Sequence, residues 1–326
     1  VKPYVYVTRR IPREALEILH SHCQVRMWDS DDPVPRSALL EEVARAEGLF
    51  CLLTESIDAE LLAHAPRLRI VANMAVGYDN VDVPACTARG VMVTNTPGVL
   101  TETTADLAFA LILAAARRLV EAARFLAAGQ WKTWGPMLLT GQDVYASTLG
   151  LVGLGRIGQA VARRARGFDM RILYYDTRRY PEAEETLGAT WLPLDDLLRQ
   201  ADVVSIHAPL TPETYHLIGE RELRLMKPTA VLVNTARGPL VDEQALYRAL
   251  REGWIWAAGL DVFEKEPIGP DHPLLTLPNV VALPHIGSAS IATRTRMATL
   301  AAENLVTALR GEVPPNLVNR EVIAAC

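Results

Sequence analysis

The segment GLVGLGRIGQAVARRA, residues 150–165, narrows the possible folds more than any other stretch of the chain. Gly153, Gly155 and Gly158 form GxGxxG between an apolar, β-prone run and a run of good helix formers that opens with Arg156 and Ile157. The first glycine of such a turn permits a tight bend and the second lets the backbone approach a pyrophosphate. The third lets helix pack on strand, with the anion at the helix N-terminus. Three glycines alone are a weak signal. Here a second β-prone run, RILYYD, follows the helix and ends in Asp176, close to the spacing of about 20 residues at which an acidic side chain meets ribose hydroxyls. A strand–helix–strand unit that holds a dinucleotide accounts for all of these features, whereas a merely tight turn requires neither the flanks nor the acid.

Asp176 accepts hydrogen bonds from the ribose of NAD and repels the 2′-phosphate of NADP. Thr177, Arg178 and Arg179 follow, and guanidinium groups there can hold that same phosphate. The two signals oppose one another, so NAD is the expected cofactor and NADP a possible one.

The rest of the chain repeats the alternation. Short apolar runs at VYV, CQVRMW, GLFCLL, LRIVANM and VMVTN alternate with helical patterns in the first hundred residues. A second series runs through STLGLVGLG, RILYYD, VVSIHAP, AVLVNTA, WAAGLDVF and VVALPH. Strands alternating with helices specify parallel sheets covered on both faces. At 326 residues the chain is long for one core and suggests two domains. Pro97 and Gly98 punctuate before a long helix that opens at TETTAD. That helix is apolar around much of its circumference and is expected to be buried on more than one side, between domains or against a second subunit. Arg117 and Arg118 interrupt its apolar run, which argues against a membrane span. ATRTRMATLAAENLVTALRG, after residue 290, reads as a last amphipathic helix that returns to the first domain.

A net charge of -5 offers no polybasic footprint for nucleic acid or an anionic membrane. No signal peptide is read at the N-terminus. Cys23, Cys51, Cys86 and Cys326 lack ligand spacing, so buried thiols and a reducing cytoplasm are expected.

His285 stands alone in VALPHIGSAS, between a β-prone run and a string of small residues. On residue type alone it reads first as an ordinary core histidine. Its setting allows a second reading. Arg237 follows the run VLVNTA, Glu264, Glu266 and Pro267 follow GLDVF, and His285 ends VALPH. Ligands of doubly wound sheets bind at the carboxyl ends of strands, where these side chains could converge. A histidine tuned by a carboxylate can move a proton, and an arginine can anchor a carboxylate and polarise the carbonyl beside it. His207, His216, His272 and His285 show no compact ligand spacing. No metal is expected, and the first three are read as surface or loop residues.

In series, GLGRIGQAVARRA, VNTARGPLVDEQAL, GLDVFEKEP and LPHIGSA resemble the D-isomer-specific 2-hydroxyacid dehydrogenases over nearly the whole chain. VTRRIP at 7–12, WDSDDPVP at 28–35 and WKTWGPMLLTG at 131–141 make it most similar to the glyoxylate/hydroxypyruvate reductases of that family. The resemblance implies an α/β protein of two doubly wound parallel-sheet domains with a cleft between them. These are a flavodoxin-like substrate domain, residues 1–98 and 288–326, and a Rossmann dinucleotide-binding domain, residues 99–287. It implies reduction of glyoxylate to glycolate and of hydroxypyruvate to D-glycerate. Arg237 would orient the substrate, His285 would be the general acid, and Glu266 would hold His285 protonatable. It also implies that Val76, Gly77, Leu53 and Trp134 meet the substrate, Trp134 from a partner subunit. Thr104, Pro209, Thr214, Thr235, Ala236, Asp261 and Gly287 would meet the cofactor. Family members of this type are usually homodimers built on the helix after residue 100. The alternatives are another dehydrogenase of the family acting on phosphite, formate or a different D-2-hydroxyacid, and an NAD-sensing corepressor.

Overall fold

A computed structural model describes residues 2–324, so Cys326 lies outside the described residues. The chain divides into two compact units, one formed up to Leu100 and again from Ala289 onward, the other from Thr101 to Ser288.

In the first unit, strands β1 (Tyr4–Val7), β2 (Gln24–Met27), β3 (Gly48–Cys51), β4 (Ile70–Asn73) and β5 (Met92–Thr94) alternate with helices α1 (Arg13–His22), α2 (Arg36–Val43), α3 (Ala59–His64) and α4 (Val83–Ala88). All strand pairs are parallel, in the order β2-β1-β3-β4-β5, which is the flavodoxin-like order. β3 and β4 are buried along their whole length, as strands covered on both faces must be.

The second unit begins with α5 (Thr101–Ala116) and α6 (Leu119–Ala127). It continues through β6 (Thr148–Val152), α7 (Arg156–Arg166), β7 (Arg171–Tyr175), α8 (Pro181–Leu187), β8 (Thr190–Trp191), α9 (Leu194–Gln200), β9 (Val203–Ile206), α10 (Glu220–Leu225), β10 (Val231–Asn234), α11 (Glu243–Glu252), β11 (Ala257–Leu260) and β12 (Val280–Ala282). Its seven strands are parallel in the order β12-β11-β10-β9-β6-β7-β8. The chain reverses direction across the sheet between β6 and β9, the position where doubly wound sheets open a ligand crevice.

The chain then adds α12 (Ile291–Leu309) and α13 (Glu321–Ala324). α12 lies on α1, β3, β4 and β5 of the first unit. Gly48 in β3 allows that close approach, because a Cβ there would sit 3.3 Å from methyl groups of Leu305 and Leu309.

Two details depart from the sequence reading. The long apolar helix is two helices, because Arg118 takes a left-handed backbone (φ 54°) and its guanidinium bonds both oxygens of Glu121, at 2.7 and 2.8 Å. α5 is buried over much of its surface, whereas α6 has no buried residue. The second sheet also has one strand more than the apolar runs announce. β8 has only two residues, too few for a periodic pattern to register. Among the described residues no helix is long and apolar enough to cross a membrane.

Candidate functional site

The turn after β6 is shaped by what its glycines lack. Gly153 has φ 96°, and a Cβ on it would lie 2.8 Å from backbone atoms of His207 and Ala208, at the end of β9. A Cβ on Gly158 would lie 2.3 Å from the Gly153 carbonyl oxygen. These two glycines therefore serve turn geometry and packing. Gly155 caps α7, and a Cβ there would meet nothing within 4 Å. The N-terminus of an eleven-residue helix thus faces open space with Arg156 exposed and Ile157 partly buried beside it, which is a setting for an anion.

Asp176 follows β7 and reaches back to this turn, accepting the Leu154 amide on Oδ2 at 2.9 Å. Its position is fixed further by Trp191 of β8, whose indole donates to the Asp176 carbonyl at 3.1 Å. Arg179 is drawn to Glu184 of α8, Nε to Oε1 at 3.0 Å, and the Arg178 guanidinium lies 4.7 Å from the centre of the Tyr180 ring. In this structure both guanidiniums are engaged with the start of α8. His207, read from sequence as a surface or loop residue, instead backs the glycine turn and bonds Ser205 through Nε2 at 2.9 Å. Burial pushes its imidazole down to about 4, so it is neutral near pH 7.

After β9, Thr214 ties its loop together by donating to the Pro209 carbonyl and accepting from the Thr211 amide, both at 2.7 Å. After β10, the buried Asn234 holds the turn through Thr235, Ala236 and Arg237. Its Nδ2 donates to the Arg237 carbonyl at 2.8 Å, and its Oδ1 accepts from Ala236 at 3.0 Å. The sequence reading passed over Asn234, although an amide side chain ending an apolar strand was a usable signal. The Thr235 hydroxyl is buried without a partner among the described residues.

After β11 and β12 come the ionisable groups. His285 Nδ1 and Glu266 Oε2 are 2.7 Å apart, the two side chains being 26% and 30% exposed. Glu266 also accepts the Phe263 amide at 2.9 Å on its other oxygen. Burial pushes the Glu266 carboxyl up, but the hydrogen bonds from His285 and Phe263 and the positive charges of His285 and Arg237 outweigh it, leaving the group below the ordinary range. A carboxylate bonded to Nδ1 places the imidazole's other nitrogen, Nε2, on the opposite edge of the ring, where no described residue bonds it. His285 has φ 55°, a left-handed backbone anchored by its amide on the Asp261 carbonyl at 2.9 Å. Histidine tolerates this conformation better than most residues, and such departures concentrate at functional sites.

Asp261 is fully buried, accepts the Ile286 amide at 2.8 Å on Oδ1, and is raised above the ordinary carboxyl range by burial. Gly287 leaves room beside it, since a Cβ there would lie 3.2 Å from Asp261 Oδ2 and 3.5 Å from the Thr104 methyl group. The fold therefore brings Thr104, Asp261 and Gly287 together. Glycines at the turn, an open helix N-terminus, a ribose-height carboxylate and a polar pocket wall of Thr235 and Asp261 make a donor set that fits a nicotinamide dinucleotide.

In the first unit, Leu53 is 36% exposed in the loop after β3. That loop is pinned by the buried Glu55, which accepts from the Leu52 amide and the Thr8 hydroxyl at 2.8 and 2.7 Å. After β4, the carbonyls of Val76 and Gly77 accept from Asn95 and Asn73 at 2.8 and 2.9 Å. Among the described residues their own N–H groups have no acceptor, which leaves two donors for an anion. Trp134 is 77% exposed. The fold also gathers His216, Asp242 and Glu264, three ligand-type side chains whose donor atoms lie within 4.8 Å of one another. Sequence spacing could not show this grouping, because the three come from different loops.

Residues 109–287 match the NAD binding domain of the D-isomer specific 2-hydroxyacid dehydrogenases. The chain is 59% identical over 324 residues to a glyoxylate reductase of Korarchaeum cryptofilum, covering 99% of this chain and 98% of that one. A solved structure from Thermus thermophilus resembles it with a TM-score of 0.92 at 50% identity, covering 97% of this chain and 99% of that one. An NADPH-dependent glyoxylate/hydroxypyruvate reductase from Sinorhizobium meliloti, solved with NADP and malonate, gives a TM-score of 0.86 at 37% identity, covering 99% and 98%.

Proposed function

Because the chain belongs to the D-isomer-specific 2-hydroxyacid dehydrogenase family, we propose that it reduces glyoxylate to glycolate and hydroxypyruvate to D-glycerate, with His285 as the general acid. The observation that carries this reading is the His285–Glu266 pair at 2.7 Å with Nε2 unbonded. Glu266 accepts from Nδ1 and stabilises the imidazolium, the form in which Nε2 also carries a proton, and that proton goes to the substrate oxygen, leaving the neutral Nδ1–H imidazole. The nicotinamide, when bound, supplies the hydride for the keto carbon. Arg237 pairs with the substrate carboxylate and polarises the neighbouring carbonyl. In the first unit, the amides of Val76 and Gly77 are the donors for an anion, and Leu53 is a substrate-facing side chain of the loop after β3. In the dinucleotide-binding unit, the α7 N-terminus takes the pyrophosphate, Asp176 takes the ribose diol, and Thr104, Asp261 and Gly287 lie at the nicotinamide end.

NADH is the preferred donor. The Asp176 carboxylate is held in the turn, while Arg178 and Arg179 are occupied by Tyr180 and Glu184.

The working form is a homodimer. Leu119, Leu126, Trp131, Trp134 and Met137 are between 52% and 77% exposed within one short stretch of chain, an apolar density that marks an interaction surface. In the dimer, Trp134 enters the partner's substrate pocket. A reducing cytoplasm suits the buried, unpaired thiols of Cys23, Cys51 and Cys86.

The test follows the oxidation of NADH and NADPH separately with glyoxylate, hydroxypyruvate and pyruvate. Turnover of the first two, faster with NADH, is expected. Turnover of neither would overturn the substrate assignment, and faster use of NADPH would overturn the cofactor assignment.

A further inference from the structure

Glu266 sits in an exposed loop, and exposed loops with few apolar contacts open easily. Its bond to His285 therefore depends on whatever holds the segment from Phe263 to Pro267 in place. The structure shows a clasp there. The Glu264 amide donates to Glu243 Oε1 at 2.7 Å, and the Glu243 amide donates back to Glu264 Oε1 at 3.0 Å. His216 Nε2 lies 2.9 Å from the same Glu264 oxygen. On the other side, His272 Nε2 is 3.3 Å from Glu243 Oε2, and its ring meets Phe263 edge to face at 5.7 Å. The back of the segment rests on the turn after Arg237, since a Cβ on Gly238 would lie only 1.9 Å from the Phe263 carbonyl.

We propose that Glu264 and Glu243, assisted by His216, are positioning residues that seat Glu266 against His285. The proposal rests on His285 being the proton donor. The two glutamates are tied through backbone amides on both sides, so removing either carboxylate frees one amide and lets the segment turn. Glu266 is bonded to the Phe263 amide within the same segment, so it moves with it. A rival account makes Glu264 only a cap for the first turn of α11, whose Asp242 already caps the Ala245 amide at 2.9 Å. Such a cap would support the helix and leave the proton donor untouched.

Glu264→Ala, Glu264→Gln and Glu243→Ala separate the two accounts. With glyoxylate and NADH, the positioning role predicts that Glu264→Ala lowers kcat about 10-fold, less than the roughly 100-fold that a full 1 Å misplacement can cost. It also predicts that the fall of kcat at high pH begins at lower pH, because a displaced Glu266 no longer favours the imidazolium. KM for NADH should stay within about twofold. Glu264→Gln, whose amide oxygen can accept both bonds, should restore the profile. Glu243→Ala should reproduce the Glu264→Ala behaviour more weakly. Amide exchange at Phe263, which donates to Glu266, should quicken in both alanine variants without any substrate present. An unchanged pH profile and unchanged Phe263 exchange, with only the thermal midpoint lowered, would leave the cap and overturn the proposal. If the parent chain turns over neither keto acid, the substrate reading fails, and Phe263 exchange still decides whether the clasp seats Glu266.

Discussion

The two ends of the dinucleotide-binding unit are built by opposite means. At the turn after β6 the site consists of backbone and of missing side chains, at Gly153, Gly155 and Gly158. At the edge formed by the loops after β10, β11 and β12 it consists of side chains, Arg237, Glu266 and His285, each hydrogen-bonded to a neighbour. A turn that must admit a pyrophosphate tolerates almost any chemistry provided nothing projects into it. A proton donor must instead be specified atom by atom. Substitution should therefore fail sterically at one end and chemically at the other.

The largest effect belongs to the chemical end. His285→Ala should lower kcat by roughly two to four orders of magnitude, the usual worth of an acid/base group, with cofactor affinity close to the parent's. Steady-state kinetics and calorimetric titration with NADH check both halves. Near-normal turnover would remove His285 from the mechanism and dissolve the contrast.

Next comes a pair of substitutions within the turn. In Gly158→Ala the new methyl would meet the Gly153 carbonyl at 2.3 Å, so about 1–3 kcal/mol of stability should be lost through overpacking, together with cofactor affinity. Gly155→Ala meets nothing within 4 Å and should change stability by less than about 0.5 kcal/mol. Its methyl would still face the anion, so NADH affinity should fall about 2- to 10-fold, the worth of one ordinary hydrogen bond. If both variants destabilise equally, Gly155 is a packing glycine and the open helix end is not the anion site.

A third expectation concerns two carboxyls at the chemical end that shift in opposite directions. Glu266 is lowered, so its contribution to stability is present above the ordinary glutamate range, near 4.3, and is lost as pH falls from there through the folded value. Asp261 is raised, so the native state holds its proton more tightly than the unfolded chain does. It lowers stability once pH rises above the ordinary aspartate range, near 3.9. Thermal midpoints of Glu266→Gln should fall below the parent's near pH 7, and the gap should close at acidic pH. Those of Asp261→Asn should be equal to or above the parent's near pH 7, at the expense of NADH affinity. Shifts of a few degrees are expected, since Glu266 is partly exposed.

The same contrast explains how much the sequence disclosed. The glycine turn is local, so spacing alone identified Gly153, Gly155, Gly158 and Asp176 as one device. Parallel strands buried on both faces are continuous apolar runs, and both sheets were legible for that reason; β8, with two residues, was not. The long helix was misread as one because nothing in Arg117 and Arg118 announces a left-handed residue. At the chemical end, three loops from separate strands converge, and residue types suggested the partners while only resemblance ordered their roles. Asn234 and Glu243 escaped notice altogether, and His216 was read only as a surface or loop residue although its Nε2 lies 2.9 Å from Glu264. Their work is to hold other residues by bonds across the fold, and such bonds leave no periodic trace in one sequence.

The smallest effect tests where cofactor choice lies. Arg178 and Arg179 are exposed and turned toward Tyr180 and Glu184 of the same unit. To reach a 2′-phosphate they would have to give up those partners, while the Asp176 carboxylate, fixed by the Leu154 amide, would still repel it. Exposed ion pairs are worth little, so removing either guanidinium changes little. Arg178→Ala and Arg179→Ala should each alter the NADPH-to-NADH ratio of kcat/KM by no more than about two- to fivefold. Asp176→Ala, which removes a repelling charge and a ribose acceptor together, should move that ratio toward NADPH by clearly more. If an arginine variant moves it further than the aspartate variant does, the guanidiniums leave α8 to take the phosphate. Side chains would then govern selectivity even at the end of the site that is otherwise built from backbone.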